Sequence, residues 1–461
     1  MAMLVEQPRP RVIRDHPHAG WFAVATVCFG AFMGQLDASI VTLTFPALQH
    51  EFGQPLAAVE WVSLAYLLGL VGLLAAAGRL ADAAGRKLMY IWGFGVFTAA
   101  SVACGLAPGL GWLIGFRVVQ AVGAAMLQAN SVALVVNSVP AARRRSALGV
   151  QAAAQALGLA LGPALGGLLV SSVGWRWVFL VNLPVGVLGL VAGRFLLPRT
   201  RQRTALGRFD TAGLVLLAVG STALLLALSG VSGLRLPGWV AALLVLIAVA
   251  SVVAFRRRER RAASPLVDLD VLRPAAVSLG LLGALCGYLV LFGPLALFPQ
   301  TLGTHGAAGL VLTCLPAGFG VAAVGASWLL PRRLGSRGRA VLGSALCVVG
   351  CGVLPVAPGV PGLVGPLLLL VGFGLGVFIP ANNSSIMGAI PERMSATGGG
   401  LVNMARGLGT ALGVALVTLS LHVCGGVTGR SVDLALFGMA LVALIAGVTG
   451  LAVTTPRSGQ E

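Results

Sequence analysis

The chain is a succession of long apolar segments separated by short polar ones. A bilayer core of about 30 Å is crossed by about 20 residues of helix, and by this measure the 461 residues contain fourteen spans. The predicted spans are residues 21–47, 57–78, 88–107, 111–138, 146–172, 177–197, 211–230, 238–255, 275–298, 308–330, 340–357, 361–388, 397–423 and 433–453. The pattern therefore predicts an all-α polytopic membrane protein.

Composition supports the same class. Hydrophobic residues make up 57% of the chain and charged residues only 10%, whereas soluble domains average about 25% charged residues. The 65 glycines suit a bilayer, where small residues let helices pack closely. The seven cysteines are mostly scattered singly through apolar segments, without CxxC spacing and without a nearby cluster of histidines. They predict neither a metal site nor a disulfide framework.

The basic residues predict the orientation of the spans, because Lys and Arg accumulate in cytoplasmic loops. With a cytoplasmic N terminus, the inner loops contain Arg79, Arg86, Lys87, Arg143, Arg144, Arg145, Arg199, Arg201, Arg203, Arg208, Arg256, Arg257, Arg258, Arg260, Arg261, Arg273, Arg332, Arg333, Arg337 and Arg339, and the outer loops only Arg176, Arg235 and Arg430. Both termini are therefore expected in the cytoplasm. The first apolar stretch is too long for a signal peptide and lacks its cleavage pattern. The bias to Arg over Lys and to Ala and Gly suggests a GC-rich bacterial genome, and the expected location is the bacterial inner membrane.

The net charge of +18 does not indicate a nucleic-acid partner. Arginines spread over successive short loops serve orientation in a membrane, so no nucleic-acid binding is expected.

An internal repeat divides the chain. Ser146–Gly149 and Gly158 match Ser395–Gly398 and Gly407 at a constant offset of 249 positions. This offset predicts an N-terminal six-span bundle at residues 21–197 and a C-terminal one at 275–453. Two extra spans lie in residues 198–274, and cytoplasmic tails at 1–20 and 454–461. Duplicated halves with a site between them are typical of transporters.

The fifth predicted span contains a strict glycine motif. Its pattern, G-x8-G-x3-G-P-x2-G-G, is formed by Gly149, Gly158, Gly162, Pro163, Gly166 and Gly167. With this motif the sequence resembles the major facilitator superfamily, in its fourteen-span drug:H+ antiporter branch, over nearly the whole chain. The resemblance implies two six-helix bundles plus two extra helices. It also implies that the glycine stripe marks an antiporter and seals the path against leakage; generic small-residue packing is the alternative.

The loop after the second span resembles the superfamily signature G-x-L-a-D-r-x-G-r-k. Gly78, Asp82, Gly85 and Arg86 fit it, and Ala83 replaces the usual Arg. The resemblance implies a conformational latch in which Asp82 pairs across the cytoplasmic ends of helices. An ordinary basic loop would not explain an Asp at this spacing.

Two charged residues lie deep in predicted spans. Arg117 stands in L-x3-R-x2-Q-A-x-G with Gln120, similar to the family's proton-transfer motif, and Asp37 stands in Leu36–Thr42, similar to L-D-x-T-x-V-N. An intramembrane Arg costs at least about 2.5–3.5 kcal/mol, so it needs a partner or a watery cavity. We expect Arg117 to tune a nearby carboxylate and Asp37 to carry the proton; a static ion pair, or direct binding of a cationic substrate by Asp37, are the alternatives. Proton exchange requires that Asp37 reach a central cavity.

Three further features resemble the branch. Glu60 precedes a W-V-x-x-A-Y-x-L segment and is interpreted as a solvated charge at the outer end of its span. The segment from Trp175 to Gly186, which contains Asn182, fits W-R-W-x-F-x-x-N-x-P-x-G and is interpreted as an interfacial anchor. Arg406 stands where the branch often has Arg; together with Gln120 it is a candidate for the substrate cavity.

The resemblance implies a proton-coupled secondary active exporter of antibiotics, drugs or similar small organic molecules. Such a carrier is driven by the proton gradient without a cofactor and acts as a monomer. The alternatives are a proton-coupled exporter of an endogenous metabolite such as an amino acid or siderophore, then an importer, and in another class a membrane-embedded enzyme. The enzyme lacks support because no H-E-x-x-H or G-x-S-x-G motif occurs. An ATP-driven pump would need G-K-[ST], and the only lysine, Lys87, does not provide it.

Overall fold

The computed structural model describes residue 6 and residues 8–200, 210–234, 236–261, 269–302, 306–331, 334–359, 362–390 and 395–452. These residues form helices joined by turns and short loops, and they contain no β-strand. Six of the arginines used to predict orientation lie outside the described residues: Arg201, Arg203, Arg208, Arg235, Arg332 and Arg333.

The chain forms two compact units, the first of which comprises Met1–Ala218 and Thr304–Gly309. Its helices in chain order are α1 (Arg11–Arg14), α2 (Ala19–Ile40), α3 (Phe45–Phe52), α4 (Leu56–Val59), α5 (Trp61–Ala84), α6 (Arg86–Gly105), α7 (Leu110–Ser138), α8 (Arg144–Ser172), α9 (Arg176–Leu180) and α10 (Asn182–Leu196). A short 3-10 turn, Val41–Thr44, joins α2 to α3.

The second unit comprises Val219–Gly303 and Leu310–Glu461. Two helices cross a limit between the units, α11 (Thr211–Val231) and α14 (Gly306–Leu329). The remaining helices are α12 (Gly238–Glu259), α13 (Ala275–Leu302), α15 (Ser336–Val353), α16 (Val364–Gly388), α17 (Ser395–Val423) and α18 (Gly429–Ala452). The bundle limits predicted from the sequence, at residues 197 and 275, stay a prediction.

Thirteen helical segments of the described chain are long and apolar enough to cross a membrane. They correspond to thirteen of the fourteen predicted spans. The remaining predicted span, residues 308–330, lies in α14, whose described side chains give a shorter apolar segment, Gly309–Ala323. The protein is therefore an all-α, multi-pass membrane protein, as its hydrophobic pattern predicts.

The same packing pattern recurs inside each unit. In the first unit α2 packs against α7, α8 and α10, and α6 packs against α7 and α10. In the second, α13 packs against α16, α17 and α18, and α15 packs against α16 and α18. These five helix pairs therefore recur in both units, in agreement with the repeat found in the sequence.

The outer helix faces carry large apolar side chains that the protein leaves uncovered. Leu157 in α8, Leu188 in α10 and Leu246 in α12 are all more than half exposed. Lipid tails are as apolar as these side chains, so a membrane helix need not cover them with protein. Helix α12 is the extreme case: few of its apolar residues are buried, as expected of a helix that lies mainly against lipid.

Candidate functional site

Asp37 lies three residues before the end of α2, and none of its surface is exposed. Transferring an ionised carboxylate out of water costs a large free energy unless the charge is paired and hydrogen-bonded. The neighbours of Asp37 therefore decide what the residue can do.

Arg117 of α7 provides the opposite charge. Its Nη1 lies 2.7 Å from Asp37 Oδ2, and the two side chains are 1% and 0% exposed. Its Nε donates a hydrogen bond to the backbone oxygen of Val62 in α5 at 2.9 Å, and its guanidinium lies over the Tyr66 ring, 4.1 Å from the ring centroid. A planar guanidinium can make all of these contacts at once, so Arg117 connects α7 to α2 and α5.

Two amide side chains complete the surroundings of the carboxylate. Gln120 Nε2 and Asn182 Nδ2 donate to Asp37 Oδ1 at 2.9 and 3.1 Å. The same two nitrogens contact Ser101 Oγ at 2.9 and 3.0 Å. Gln120 Oε1 in turn accepts from Arg117 Nη1 at 2.6 Å. We call Asp37, Arg117, Gln120, Asn182 and Ser101 the carboxylate network; its members come from α2, α6, α7 and α10.

The carboxylate network is arranged for an ionised Asp37. Both carboxylate oxygens accept hydrogen bonds, and each of the three side chains that contact them acts as a donor. Hydrogen bonds and a positive charge directed at a carboxylate stabilise its charged form. Binding of a proton by Asp37 would therefore require at least one of these donors to move or reorient.

The structure does not give Asp37 the water access that the sequence analysis expects of a proton carrier. The carboxylate is fully shielded within the first unit. In this structure, therefore, the charge pair is shielded from solvent.

The predicted glycine stripe packs α8 against α2 at the level of Asp37. A Cβ atom added at Gly158 would collide with the backbone oxygen of Phe32, and one at Gly162 would collide with the Ser39 side chain. These contacts lie on either side of Asp37 along α2. Gly166 continues the contact against Ile40 and Leu43, whereas a Cβ at Gly149 would meet nothing within 4 Å.

Two motif members remain. Pro163 lies inside α8. Gly167 follows Gly166 in the same helix.

The predicted latch loop forms a tight turn between α5 and α6. Asp82 Oδ1 lies 2.8 Å from Arg86 Nη2 across this turn, and both side chains are partly exposed. Gly85 joins the helices with φ 116°, a conformation that L residues rarely adopt. Gly78 lies one turn before Asp82 in α5, and a Cβ there would be 3.8 Å from Ala129 Cβ of α7.

The two residues predicted for a substrate cavity lie in different units. Gln120 is fully buried in the carboxylate network of the first unit. Arg406 belongs to α17 of the second unit, and its guanidinium lies 5.9 Å from the centroid of the Tyr288 ring of α13. Gln120 is thus a hydrogen-bond partner of the Asp37–Arg117 pair in this structure.

Sequence reasoning missed two members of the carboxylate network, Asn182 and Ser101. Asn182 was interpreted as part of an interfacial anchor, yet it is fully buried against Asp37. An amide within an otherwise apolar span is a signal that could have singled it out, because uncompensated polar groups are costly there. Ser101 carries no such signal, since serine is common in packed membrane helices.

One interpretation at the outer span ends is wrong. Glu60 is expected to be a solvated end charge, but it is 0% exposed. In the segment interpreted as an interfacial anchor, Trp175 is 3% exposed and donates from Nε1 to Glu51 Oε2 at 2.6 Å. Trp177, which is half exposed, fits the anchor interpretation.

Comparison with known protein families decides the class of the chain. The model of the Major Facilitator Superfamily matches residues 27–206 and 194–414. The chain belongs to this superfamily. A major facilitator protein is a membrane transporter of small molecules and not an enzyme, so the enzyme alternative is set aside.

Three relatives of this major facilitator protein illustrate the range of names among similar chains. The Uncharacterized transporter YebQ of Escherichia coli (strain K12) is 30% identical, with 95% of this chain and 96% of that protein covered. The Tetracenomycin C resistance and export protein of Streptomyces glaucescens is 31% identical, with 86% and 75% covered. The Riboflavin transporter RibZ of Clostridioides difficile (strain 630) is 29% identical, with 86% and 87% covered.

A solved structure supports the fold independently of sequence. The POT family transporter PepTSo has a TM-score of 0.67 to this chain at 15% identity, with 95% of this chain and 98% of that chain covered. The major facilitator fold is therefore present. The comparison gives no information on the substrate.

Proposed function

We propose that this major facilitator protein is a proton-coupled exporter of antibiotics, drugs or similar small organic molecules that works by alternating access. The observation that carries the proposal is the fully buried Asp37–Arg117 pair at 2.7 Å. Ionisable groups inside membrane helices are rare and mark proton relays and substrate paths. A purely structural role could be filled by apolar residues at lower cost.

In the proposed cycle Asp37 takes a proton from outside the cell and releases it inside. Arg117 stabilises the ionised carboxylate and so opposes proton uptake until the surrounding helices separate. The proton gradient then drives export without a cofactor. The carrier acts as a monomer in the bacterial inner membrane, with both termini in the cytoplasm.

The two glycine-bearing motifs have mechanical roles in this proposal. Gly158 and Gly162 bring α8 into backbone contact with α2, which closes any leak path beside Asp37. The Asp82–Arg86 pair and the Gly85 turn hold the cytoplasmic ends of α5 and α6 as a latch. Export rather than import is the direction that the glycine motif favours.

The second unit favours a substrate that is neutral, anionic or weakly basic. No Asp or Glu occurs in α13–α17, so a multiply charged cation would find no counter-ion on these helices. Arg406 beside Tyr288 offers a positive charge and an aromatic face instead. The antibiotic-exporting relative named above supports the drug class.

The deciding experiment compares Asp37→Asn with the native protein in a drug-sensitive bacterial host. A panel of antibiotics is scored for tolerance with and without a protonophore. We expect the native protein to raise tolerance to at least one antibiotic and the protonophore to abolish this gain. Asp37→Asn should lose the gain while reaching the membrane at the native level.

Asp433→Asn is the matched control, because Asp433 is a partly exposed acid near the start of α18, outside the carboxylate network. It should keep the native tolerance. Full proton-dependent export by Asp37→Asn would remove Asp37 from the mechanism. A dicationic dye provides a further test. The proposed substrate class would be contradicted if the protein exports such a dye efficiently and Asp37→Asn is the only substitution that abolishes this export.

A second candidate is a proton-coupled exporter of an endogenous metabolite. The similarity to a protein named as a riboflavin transporter favours it. Under this alternative no antibiotic tolerance appears, and the metabolite accumulates in the medium of expressing cells in an Asp37-dependent manner.

A further inference from the structure

Asn182 is the member of the carboxylate network that still has an unused bonding group. Its Nδ2 donates to Asp37 Oδ1 and to Ser101 Oγ, but its Oδ1 is buried without a hydrogen-bond partner. Buried amide oxygens are rarely left without a donor, and each exception calls for an explanation.

The other partners of Asp37 cannot accept a hydrogen bond from a protonated carboxyl group. Arg117 has only donors. Gln120 has an acceptor, Oε1, but it is already bonded to Arg117 Nη1 at 2.6 Å. Rotating the Gln120 amide would therefore break that bond and bring its NH2 group against the guanidinium.

Asn182 can change from donor to acceptor without breaking a bond to Arg117. Rotating its amide by half a turn exchanges Oδ1 and Nδ2, which have nearly the same size and shape. Oδ1 would then face Asp37 and accept the new O–H, and the Ser101 hydroxyl could turn its hydrogen toward the same oxygen. Ser101 would keep the bond that it accepts from Gln120.

We propose that Asn182 is a positioning residue that holds Asp37 in both of its protonation states, donating to the carboxylate and, after rotation of its amide, accepting from the carboxylic acid. The inference rests on the proposed function, in which Asp37 is the proton carrier. The unused Oδ1 is the acceptor that the protonated state needs.

Few other groups near Asp37 could produce the same pH dependence. Among the described residues, Arg117 from α7 is the charged group in contact with it, Cys104 from α6 bonds to Gln120, and the Tyr66 ring from α5 stacks on Arg117. Helix α8 faces α2 with its glycines.

Infrared spectroscopy of the purified full-length protein tests the proposal without a substrate, because the probe is the proton itself. A protonated carboxyl group gives a C=O stretching band whose frequency falls when its O–H is hydrogen-bonded. The band that disappears in Asp37→Asn is assigned to Asp37 and followed as a function of pH. Its midpoint measures proton affinity, and its frequency reports the acceptor.

We expect Asn182→Leu, which can neither donate nor accept, to raise the Asp37 midpoint by about one pH unit, a tenfold increase in proton affinity. The hydrogen bond lost by the charged carboxylate is stronger than the one lost by the neutral acid. The remaining band should lie at higher frequency. Asn182→Thr has a similar volume and a hydroxyl that both donates and accepts, so it should stay closer to the native midpoint and frequency. It also shows that the site tolerates substitution.

Asn130→Leu is the matched control. Asn130 is a buried asparagine of α7 whose Nδ2 bonds within its own helix, to Met126 O at 2.7 Å. It should leave the midpoint and frequency unchanged. A native midpoint and frequency in Asn182→Leu would overturn the role of Asn182. A native protein without any Asp37-dependent band would instead refute Asp37 as the proton carrier, and with it the proposed function.

Discussion

A single methyl group at Gly158 provides a sharp test of the contact between α8 and α2. A Cβ at this position would overlap the Phe32 backbone oxygen and lie 3.1 Å from the Phe32 carbonyl carbon and 3.2 Å from the Leu36 nitrogen. These are backbone atoms, which cannot rotate away as a side chain can. Gly158→Ala therefore forces the two helices apart, whereas Gly149→Ala in the same helix meets nothing within 4 Å.

The two substitutions should have opposite effects on stability. Alanine is preferred over glycine in a helix by about 1 kcal/mol, and Gly149→Ala should gain up to this amount. Overpacking costs about 1–3 kcal/mol, and the rigid contact places Gly158→Ala near the upper end, for a net loss of about 2 kcal/mol. The predicted difference between the variants is thus about 3 kcal/mol.

Thermal denaturation of both purified variants in the same detergent measures the difference. If the proposed function holds, antibiotic tolerance of expressing cells reports export. Gly158→Ala should denature at a lower temperature than the native protein and export poorly. Gly149→Ala should match or exceed the native protein in both assays. Equal stability and export for the two variants would refute the close contact described above. The glycine motif would then have no specific role beyond ordinary helix packing.

Three further predictions follow from named contacts. Arg117→Lys keeps the charge but loses the planar guanidinium that makes three separate hydrogen bonds, so the tolerance assay should show export reduced about tenfold or more at a native protein level. Gly85→Ala should destabilise the purified protein by about 1–3 kcal/mol in thermal denaturation, because φ 116° is strained for alanine. Gly409→Ala, whose Cβ would collide with the Leu285 oxygen of α13, should lower the denaturation temperature, whereas Gly399→Ala, with nothing within 4 Å, should not.

The fold could be predicted from the sequence because lipid imposes a simple rule. Every span must satisfy its own backbone and present apolar side chains, so segment length and loop charge identify the helices. The cost of a buried guanidinium also predicted that Arg117 needs a partner, although Asp37 lies 80 positions away in the chain. The pairing could be predicted across this distance because Asp37 is the only carboxylate deep within a predicted span.

The remaining site residues could not be predicted because they depend on which helix faces meet. Asn182 follows Trp175, Arg176 and Trp177, residue types that are common at the membrane surface. This context gave no indication that the Asn182 amide points toward Asp37. Glu60 was placed at a span end by hydropathy alone, and hydropathy gives no information on the helical turn that precedes it. Gly409 contacts α13 in the second unit. The sequence repeat did not identify it, because the repeat matches Gly407, two positions earlier.

The hydrogen-bond partners of Asp37 found in the described chain all belong to one of the two repeated halves. Helices α13–α17 of the other half contain no acidic residue. Because the charge pair is confined to one half, a substitution in the other half need not disturb it. One half can therefore change its side chains while the other keeps its buried ionisable groups.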